Sequence, residues 1–239
     1  QALADPLATT VIFMGKRTFA ALSLKLIAAG LPQDTPALLA ESVSTPDHCH
    51  AVMAMAAMQM GKHVYVQKPL AHDVYEARML TEATKKYKVV TQMGNQGNSD
   101  EGIRQVCEWL WDGAIGEIRE AHAWTNRPIW PQGLNLPTPP DTIPSMLSWN
   151  LWQGVAPERP YNKAYLPFAW RSWWDYGCGG LGDIGCHTFD GPFWALGLGS
   201  PTKVEVERKE PPNPGFIPMS YKVTYHFPAR GTKPPVKMT

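Results

Sequence analysis

Lys68 is the first residue whose type and position suggest chemistry. It follows the run His63–Val66, which predicts a buried strand, and it precedes Pro69, whose ring fixes the backbone. An ammonium held at the end of a strand can donate a hydrogen bond to a substrate hydroxyl or polarise an oxygen. The same spacing also fits a solvated lysine in an ordinary turn, so both interpretations stay open at this point.

A carboxylate and a histidine form a second candidate group. Asp183, His187 and Asp190 stand at positions i, i+4 and i+7, which an α-helix would place on one face. A carboxylate one turn away can orient an imidazole and stabilise its cationic form, as a general base requires. The alternative is a helix-capping aspartate beside a histidine that serves only packing.

The segment Glu41–Gly94 contains the elements that would position Lys68. Short apolar runs alternate there with amphipathic segments, which is the pattern of βαβ units on a parallel sheet. The predicted order is a strand closing at Val43 and Ser44, a helix from Asp47 to Gly61, the strand His63–Val66, a helix over Val74–Tyr87 and the strand Val89–Met93.

Polar segments follow the three predicted strands. They are Ser44-Thr45-Pro46, Gln67-Lys68-Pro69 and Gly94-Asn95-Gln96. In open parallel sheets, ligands bind outside the carboxyl ends of the strands. The three segments are therefore predicted to share one binding edge.

The charge and hydropathy of the 239-residue chain exclude several classes of function. With 22 Lys and Arg against 21 Asp and Glu, the net charge is +1, without the basic excess that a nucleic-acid-binding face needs. Hydrophobic residues make up 44%, enough for a globular core. No apolar run approaches the ~20 residues that cross a bilayer, so no membrane insertion is expected.

The start of the chain leaves the cellular location open. Residues Gln1 to Thr9 lack the basic-then-apolar order of a signal peptide, but the chain does not begin with Met. A cytoplasmic location and a periplasmic one after removal of an export signal both fit.

Aromatic residues are distributed unevenly. All ten tryptophans lie between Trp109 and Trp194. Tryptophan stacks well against the C–H face of a sugar ring, and it also packs well in cores and domain interfaces. Both uses are expected in this part of the chain.

Two motif-like segments are weaker candidates. Gly177–Gly182 matches GxGxxG but follows Trp173-Trp174-Asp175-Tyr176 and not a strand, so we predict that it is not a dinucleotide loop and that its glycines let the backbone approach a ligand closely. Asp47-His48-Cys49-His50 lacks the further ligands of a zinc site, and the four cysteines form no CxxC pair. No metal site is predicted.

Taken together, these segments resemble the Gfo/Idh/MocA family, which includes glucose–fructose oxidoreductase and inositol dehydrogenase. The matching segments are Ser44–His50, Gln67-Lys68-Pro69, Gln92–Gly97, and Gly182-Asp183 with His187 and Asp190. The resemblance covers roughly Glu41–Thr239. It includes Ala123–Gly133, which looks like a bacterial branch that is often exported and linked to sugar or glycoside use.

The resemblance implies an α/β fold of two parts. Residues 1–96 would form a Rossmann-type parallel-sheet domain that binds NAD or NADP. Residues 97–239 would form an α+β substrate domain with a large, open, mainly antiparallel sheet, through which a homo-oligomer would assemble. The family also implies a cis Lys68–Pro69 bond, which costs little only before proline.

The family's site residues carry over to this chain position by position. Lys68 and His187 would assist proton transfer, and Asp183 would orient His187 and the substrate. The expected cofactor contacts are Ser44, Thr45, Pro46, His48, Gln67, Lys68, Asn95, Gln96, Trp170 and Arg171. The expected substrate contacts are Asn95, Arg127, Trp130, Trp173, Trp174, Asp183 and His187.

The chain departs from the family pattern in three places. Gln67 replaces a glutamate, which removes a carboxylate beside Lys68. The first forty residues contain no glycine-rich βα turn, although Val11–Gly15 and Thr18–Ala29 could form a strand and its helix. The chain also stops at Thr239, where relatives would continue through the sheet, so we expect it to be incomplete at both ends.

Three functions follow in order of preference. The first is an NAD(P)-dependent oxidoreductase acting on a secondary alcohol of a sugar, cyclitol or glycoside. The second uses the same site for transient oxidation and elimination, with net glycoside cleavage. The third is a sugar-binding relative without catalysis, motivated by Gln67 and the missing glycine turn.

Overall fold

Three parallel strands and their connecting helices occupy the first part of the computed structural model, which describes residues 40–127, 130, 132, 135–137, 139–208, 210–211 and 215–239. In chain order they are β1 (Ala40–Val43), α1 (Asp47–Gln59), β2 (His63–Gln67), α2 (Val74–Tyr87) and β3 (Thr91–Gly94). The sheet order is β1-β2-β3, and both pairs are parallel. The predicted βαβ arrangement is confirmed, whereas the elements predicted at Val11–Gly15 and Thr18–Ala29 lie outside the described residues.

The strand register brings the three polar segments to one edge. Val43 pairs with Val66, and Gln67 pairs with Gly94. One residue further along, the Lys68 amide donates to the Gly94 carbonyl at 3.0 Å. The ends of all three strands therefore lie side by side, as parallel pairing requires.

The parallel sheet buries one face under α1 and α2. Val64 and Val66 are each 1% exposed, and they pack with Ala54 and Met58 of α1 and Leu80 of α2. At the start of α2, the side chain of Asp73 accepts a hydrogen bond from the Glu76 amide at 2.8 Å, which satisfies an otherwise unpaired donor of the first turn. Packing and capping together fix the boundaries that the sequence predicted for this helix.

The second part of the chain combines short helices with a mixed sheet. In chain order it contains α3 (Glu101–Trp111), β4 (Glu120–Ala121), α4 (Trp149–Gln153), a 3₁₀ turn (Ala169–Ser172), a π-helical turn (Leu181–Gly185), α5 (Cys186–Leu196), β5 (Lys203–Arg208), β6 (Tyr221–Phe227) and β7 (Val236–Met238). The strand order is β4-β7-β6-β5. Only β4 and β7 pair in parallel, so the prediction of a mainly antiparallel sheet is confirmed.

Helix α5 covers the inner face of this mixed sheet. The rings of Phe189 and Tyr225 meet edge to face at 5.6 Å, and Leu196 packs with Phe227 and Met238. The other face carries charged side chains and points away from α5. None of the described helices combines the length and the apolar character needed to cross a bilayer.

An aromatic cluster forms around Trp149 of α4. Trp149, Tyr165, Trp173, Tyr176 and Phe216 are all buried there, with ring centroids as close as 4.4 Å. Trp173 is 3% exposed. The indole of Trp173 is therefore enclosed by the aromatic core, and its contact with substrate stays a prediction.

Gly177, in the glycine-rich segment before the π-helical turn, lies against protein backbone. A Cβ placed on Gly177 would lie 2.5 Å from the Arg171 Cα and 2.8 Å from its carbonyl oxygen. This position therefore requires glycine because the two backbone segments touch. The segment follows no strand, in agreement with the prediction that it is not a dinucleotide loop.

We predict that Met58→Ala lowers the free energy of unfolding by about 2–5 kcal/mol, the usual cost of a cavity in a packed core. Met58 is fully buried, whereas Met60, two residues away, is 71% exposed. Met60→Ala is therefore the matched control and should change stability by less than about 0.5 kcal/mol. Urea denaturation measures both values, and equal losses would contradict the assigned packing.

We predict that Gly177→Ala lowers the free energy of unfolding by at least about 2 kcal/mol, since backbone must move to admit the new Cβ. The control is Gly102→Ala in α3, where a Cβ meets nothing within 4 Å. That change should leave stability unchanged or raise it by up to about 1 kcal/mol. Thermal unfolding of the two variants compares the sites, and a neutral Gly177→Ala would refute the close approach.

Candidate functional site

Lys68 and Asp183 form a largely enclosed ion pair at the carboxyl edge of the parallel sheet. The Lys68 Nζ donates to the Asp183 Oδ1 at 3.0 Å and to the Asp183 carbonyl oxygen at 2.5 Å. The two side chains are 14% and 11% exposed. The Lys68–Pro69 bond is cis, as predicted. Lys68 is thus held in place and is not a solvated lysine in an ordinary turn.

The backbone around Asp183 differs from the predicted regular helix. Residues Leu181–Gly185 form a π-helical turn, and α5 begins only at Cys186. Asp183 thus lies in the π-helical turn, whereas His187 lies in the first turn of α5. Among the described contacts, the Asp183 carboxylate meets Lys68, Arg171 and Arg127. The Asp183 carboxylate therefore holds Lys68, while no described hydrogen bond joins it to His187, and the orienting role of Asp183 stays a prediction.

His187 is oriented by a backbone carbonyl. Its Nδ1 lies 3.0 Å from the carbonyl oxygen of Gln96, at the end of β3. Because a carbonyl oxygen can only accept, the proton of the neutral ring must sit on Nδ1. The lone pair is then on Nε2, which is the form that a general base needs.

Asn95 connects the end of β3 to the start of α5. Its Nδ2 donates to the Cys186 carbonyl oxygen at 2.9 Å. Its Oδ1 is buried and has no hydrogen-bond partner among the described residues. A buried acceptor without a donor is costly, so this atom is ready to receive an N–H or O–H group from a ligand.

A second side-chain contact joins the same two segments. Asn98 Nδ2 donates to both carboxylate oxygens of Asp190, at 2.8 and 3.1 Å. The carboxylate predicted to share a face with His187 is thus used to hold the loop after β3 against α5. Sequence analysis had assigned no role to Asn98.

Gln67 and Gln96 form a reciprocal amide pair across β2 and β3. The Gln67 Nε2 donates to the Gln96 Oε1 at 3.1 Å, and the Gln96 Nε2 donates back to the Gln67 Oε1 at 3.2 Å. A glutamate at position 67 could accept one of these bonds but could not donate the other at neutral pH. Gln67, which stands where the family has a glutamate, can therefore both donate to and accept from Gln96.

His48 is a packing residue in this structure. It is 2% exposed, and its two ring nitrogens face the carbonyl oxygens of Tyr176 and Gln153 at 3.2 and 3.0 Å. Burial lowers the pKa of the His48 imidazole below its ordinary value. With both nitrogens directed to backbone, His48 joins α1 to the aromatic core, in place of the predicted cofactor contact.

His50 is a structural residue of the site that sequence analysis missed. Its Nδ1 lies 2.6 Å from the Pro69 carbonyl oxygen and its Nε2 lies 2.7 Å from the Thr45 carbonyl oxygen. The ring is 1% exposed. His50 thus ties the loops after β1 and β2 together. Its position in the first turn of α1 was the only signal in the sequence.

The neighbouring Asp47 contacts the glycine-rich segment. It does not cap α1; its Oδ2 instead accepts a hydrogen bond from the Cys178 amide at 3.1 Å. Burial raises the pKa of the Asp47 carboxyl. The described residues contain no group of three or more His, Cys, Asp or Glu side chains arranged to hold a metal ion.

The remaining predicted site residues differ in whether they lie near Asp183. Arg127, Trp130, Trp170 and Arg171 gather around Asp183, with the Arg171 guanidinium 4.2 Å from the Trp170 ring and 5.6 Å from the Trp130 ring. Trp174 is 43% exposed, and no described contact joins it to this group. Ser44 is exposed, while Thr45 and Pro46 are half-buried where β1 ends.

The arrangement places an acceptor nitrogen and a paired ammonium at one sheet edge. His187 Nε2 can take a proton, and Lys68 can stabilise negative charge on an oxygen. Asn95 Oδ1 adds a buried acceptor beside them. Such a set suits proton transfer from a hydroxyl group.

Comparison with known proteins gives matches on both parts of the chain. Residues 29–95 match the model described as an oxidoreductase family with an NAD-binding Rossmann fold, and residues 115–232 match that family's C-terminal alpha/beta domain. Levoglucosan dehydrogenase of Pseudarthrobacter phenanthrenivorans is 27% identical over 157 residues, which are 66% of this chain and 33% of that protein. The chain thus spans about a third of the length of that relative.

Two crystal structures share the fold. One is aldose-aldose oxidoreductase of Caulobacter crescentus in complex with glycerol, which is 19% identical with a TM-score of 0.53 and covers 94% of this chain and 59% of that one. The other is an inositol dehydrogenase homologue of Azotobacter vinelandii in complex with NADH and myo-inositol. It is 19% identical with a TM-score of 0.51, and the match covers 93% of this chain and 47% of that one.

Both family models match in the expected order along the chain, and the described residues form the parallel sheet and the mixed sheet that these two domains require. The chain therefore belongs to the Gfo/Idh/MocA oxidoreductase family.

Proposed function

We propose that this protein transfers hydride between NAD or NADP and a secondary alcohol of a sugar, cyclitol or glycoside. The observation that carries the proposal is the Lys68–Asp183 pair beside a histidine whose Nε2 is left as an acceptor. The match to an NAD-binding Rossmann model and the dehydrogenase name of the levoglucosan relative support the same activity.

The residues at the strand ends fit a nicotinamide cofactor. Asn95 Oδ1 is a buried acceptor without a donor among the described residues, and the carboxamide N–H of a nicotinamide can satisfy it. Thr45, Pro46 and Gln96 would border the ring, and residues 1–96 would form the cofactor domain ahead of a substrate domain over 97–239. When bound, the nicotinamide supplies or accepts the hydride.

His187 acts as the general base for the substrate hydroxyl. The Gln96 carbonyl holds the proton of the neutral ring on Nδ1, so Nε2 takes the hydroxyl proton. In the reverse direction the same nitrogen returns the proton. No aspartate is needed to set the tautomer, because the carbonyl already does so.

Lys68 stabilises the oxygen from which the proton leaves. Two of its three N–H bonds go to the Asp183 carboxylate and carbonyl, which leaves one donor for the substrate. Asp183 keeps the ammonium in place and so acts on the substrate oxygen through Lys68. Trp130 and Arg127 would border the sugar next to this pair.

We predict that Lys68→Met and His187→Gln each lower kcat by about 10²–10⁴-fold, the usual contribution of a positioned acid or base. The affinity for NAD, measured by calorimetry, should change little, because neither side chain holds the nucleotide phosphates. His122→Gln is the matched control, since His122 is 56% exposed and pairs only with Glu120 among the described residues. Normal turnover in both site variants would contradict the roles proposed for Lys68 and His187.

Product analysis separates this function from its two alternatives. Accumulation of reduced cofactor with an oxidised sugar supports the dehydrogenase. Release of an aglycone without accumulation of reduced cofactor would support glycoside cleavage by transient oxidation. Sugar binding that does not depend on the nucleotide, without any turnover, would support a binding protein.

We also propose a homo-oligomer that uses the outer face of the mixed sheet. This face carries opposite charges on adjacent strands, including Lys222 paired with Glu207 at 2.6 Å and Lys237 near Glu120 at 3.8 Å. A surface of alternating charges is complementary to a second copy of itself.

An interface of this kind predicts dissociation by salt. Light scattering should give a larger mass at about 0.1 M NaCl than at about 1 M, where the Debye length falls from roughly 10 to 3 Å. A monomer at both salt concentrations would rule out this assembly, and an oligomer unaffected by salt would rule out this face.

A further inference from the structure

The site contains more positive than negative charge. Three cationic groups surround the single carboxylate of Asp183: the Lys68 Nζ at 3.0 Å, the Arg171 Nε at 3.5 Å and an Arg127 Nη at 4.0 Å. The next acidic group that interacts with Arg171 is Asp47, whose Oδ2 already accepts a hydrogen bond from the Cys178 amide at 3.1 Å. Asp183 therefore neutralises one of three charges.

Aromatic rings hold the Arg171 guanidinium without using its hydrogen-bond donors. The group lies 4.2 Å from the Trp170 ring, 4.6 Å from the Phe168 ring and 5.6 Å from the Trp130 ring. Cation–π contacts fix the plane of a guanidinium and leave its N–H edge available. Its described hydrogen bond goes from Nη1 to the Phe168 carbonyl oxygen at 3.3 Å.

Arg127 is the cation whose charge the fold uses least. Its separation of 4.0 Å from Asp183 is too long for a hydrogen bond. The side chain is 40% exposed, and its guanidinium lies 6.0 Å from the Trp130 ring. Among the described residues, no hydrogen bond is made by the Arg127 guanidinium. The N–H groups of its guanidinium are therefore available to a ligand at the site.

We propose that Arg127 recognises a carboxylate on the substrate, so that the preferred substrates are acidic sugars such as uronates. This inference rests on the proposed function and names its substrate class. A guanidinium matches a planar carboxylate with two parallel hydrogen bonds. Arg127 itself supplies one positive charge, which a monoanionic carboxylate neutralises.

The test compares acidic sugars with neutral sugars of the same stereochemistry. The intact protein, loaded with NAD, is titrated with D-glucuronate, D-galacturonate and D-mannuronate and with the three corresponding hexoses and uronamides. Calorimetry measures affinity, and NADH absorbance measures kcat/KM. At least one acidic sugar should bind roughly tenfold or more tightly than its uronamide, as a charged hydrogen-bonded pair provides.

The variant Arg127→Gln assigns the preference to this residue. It should lower kcat/KM for the acidic sugar by roughly 10- to 100-fold, the range expected for a lost hydrogen bond to a charged group. The loss for the hexose and the uronamide should be at least about fivefold smaller than the loss for the acidic sugar. Arg119→Gln is the matched control, because Arg119 is 66% exposed and pairs with Glu117 outside the site.

Several results would overturn the inference. They are equal binding of acid and amide in every pair, no binding of any acidic sugar, an equal loss for all sugars in Arg127→Gln, and a preference for glucose 6-phosphate over glucuronate. If neutral hexoses are oxidised and acidic sugars are not preferred, this inference is refuted while the proposed function still stands. Absence of NAD binding would remove the proposed function, while the comparison of acid with amide binding would still test Arg127.

Discussion

The ion pair between Lys68 and Asp183 is the interaction on which the site depends. It joins the end of β2 to the π-helical turn, across 115 residues of sequence, and both side chains are largely enclosed. Removing one partner of such a pair leaves a charge without compensation, which is far more costly than losing an exposed pair. The pair therefore fixes where α5 begins relative to the parallel sheet, and with it the position of His187.

Three further contacts connect the same two parts of the chain. Asn95 bonds to the first residue of α5, His187 bonds to Gln96, and Asn98 bonds to Asp190. Each contact joins the edge of the parallel sheet to the segment that leads into the mixed sheet. On the other side of β2, His50 ties the loops after β1 and β2. The site is thus held from both directions by polar contacts, several of which are made to backbone carbonyls.

The elements of the parallel sheet could be predicted because local sequence decides them. Helix α2 has the predicted bounds, since Asp73 caps its first turn and an apolar stripe marks its buried face. Strand β3 begins at Thr91 and not at the predicted Val89, because the ladder with β2 pairs Val64 with Thr91. The glycine-rich segment could be rejected as a dinucleotide loop from its neighbours alone.

The sequence by itself determined the βαβ order, the edge that carries Lys68 and the identity of the polar groups there. Only the tertiary structure decided what those groups do. The Asp183 carboxylate pairs with Lys68, the aromatic core encloses Trp173, and both ring nitrogens of His48 face backbone carbonyls. The physical reason is that periodicity and capping act within a few residues, whereas the partner of a buried polar group is chosen by packing between segments far apart in the chain.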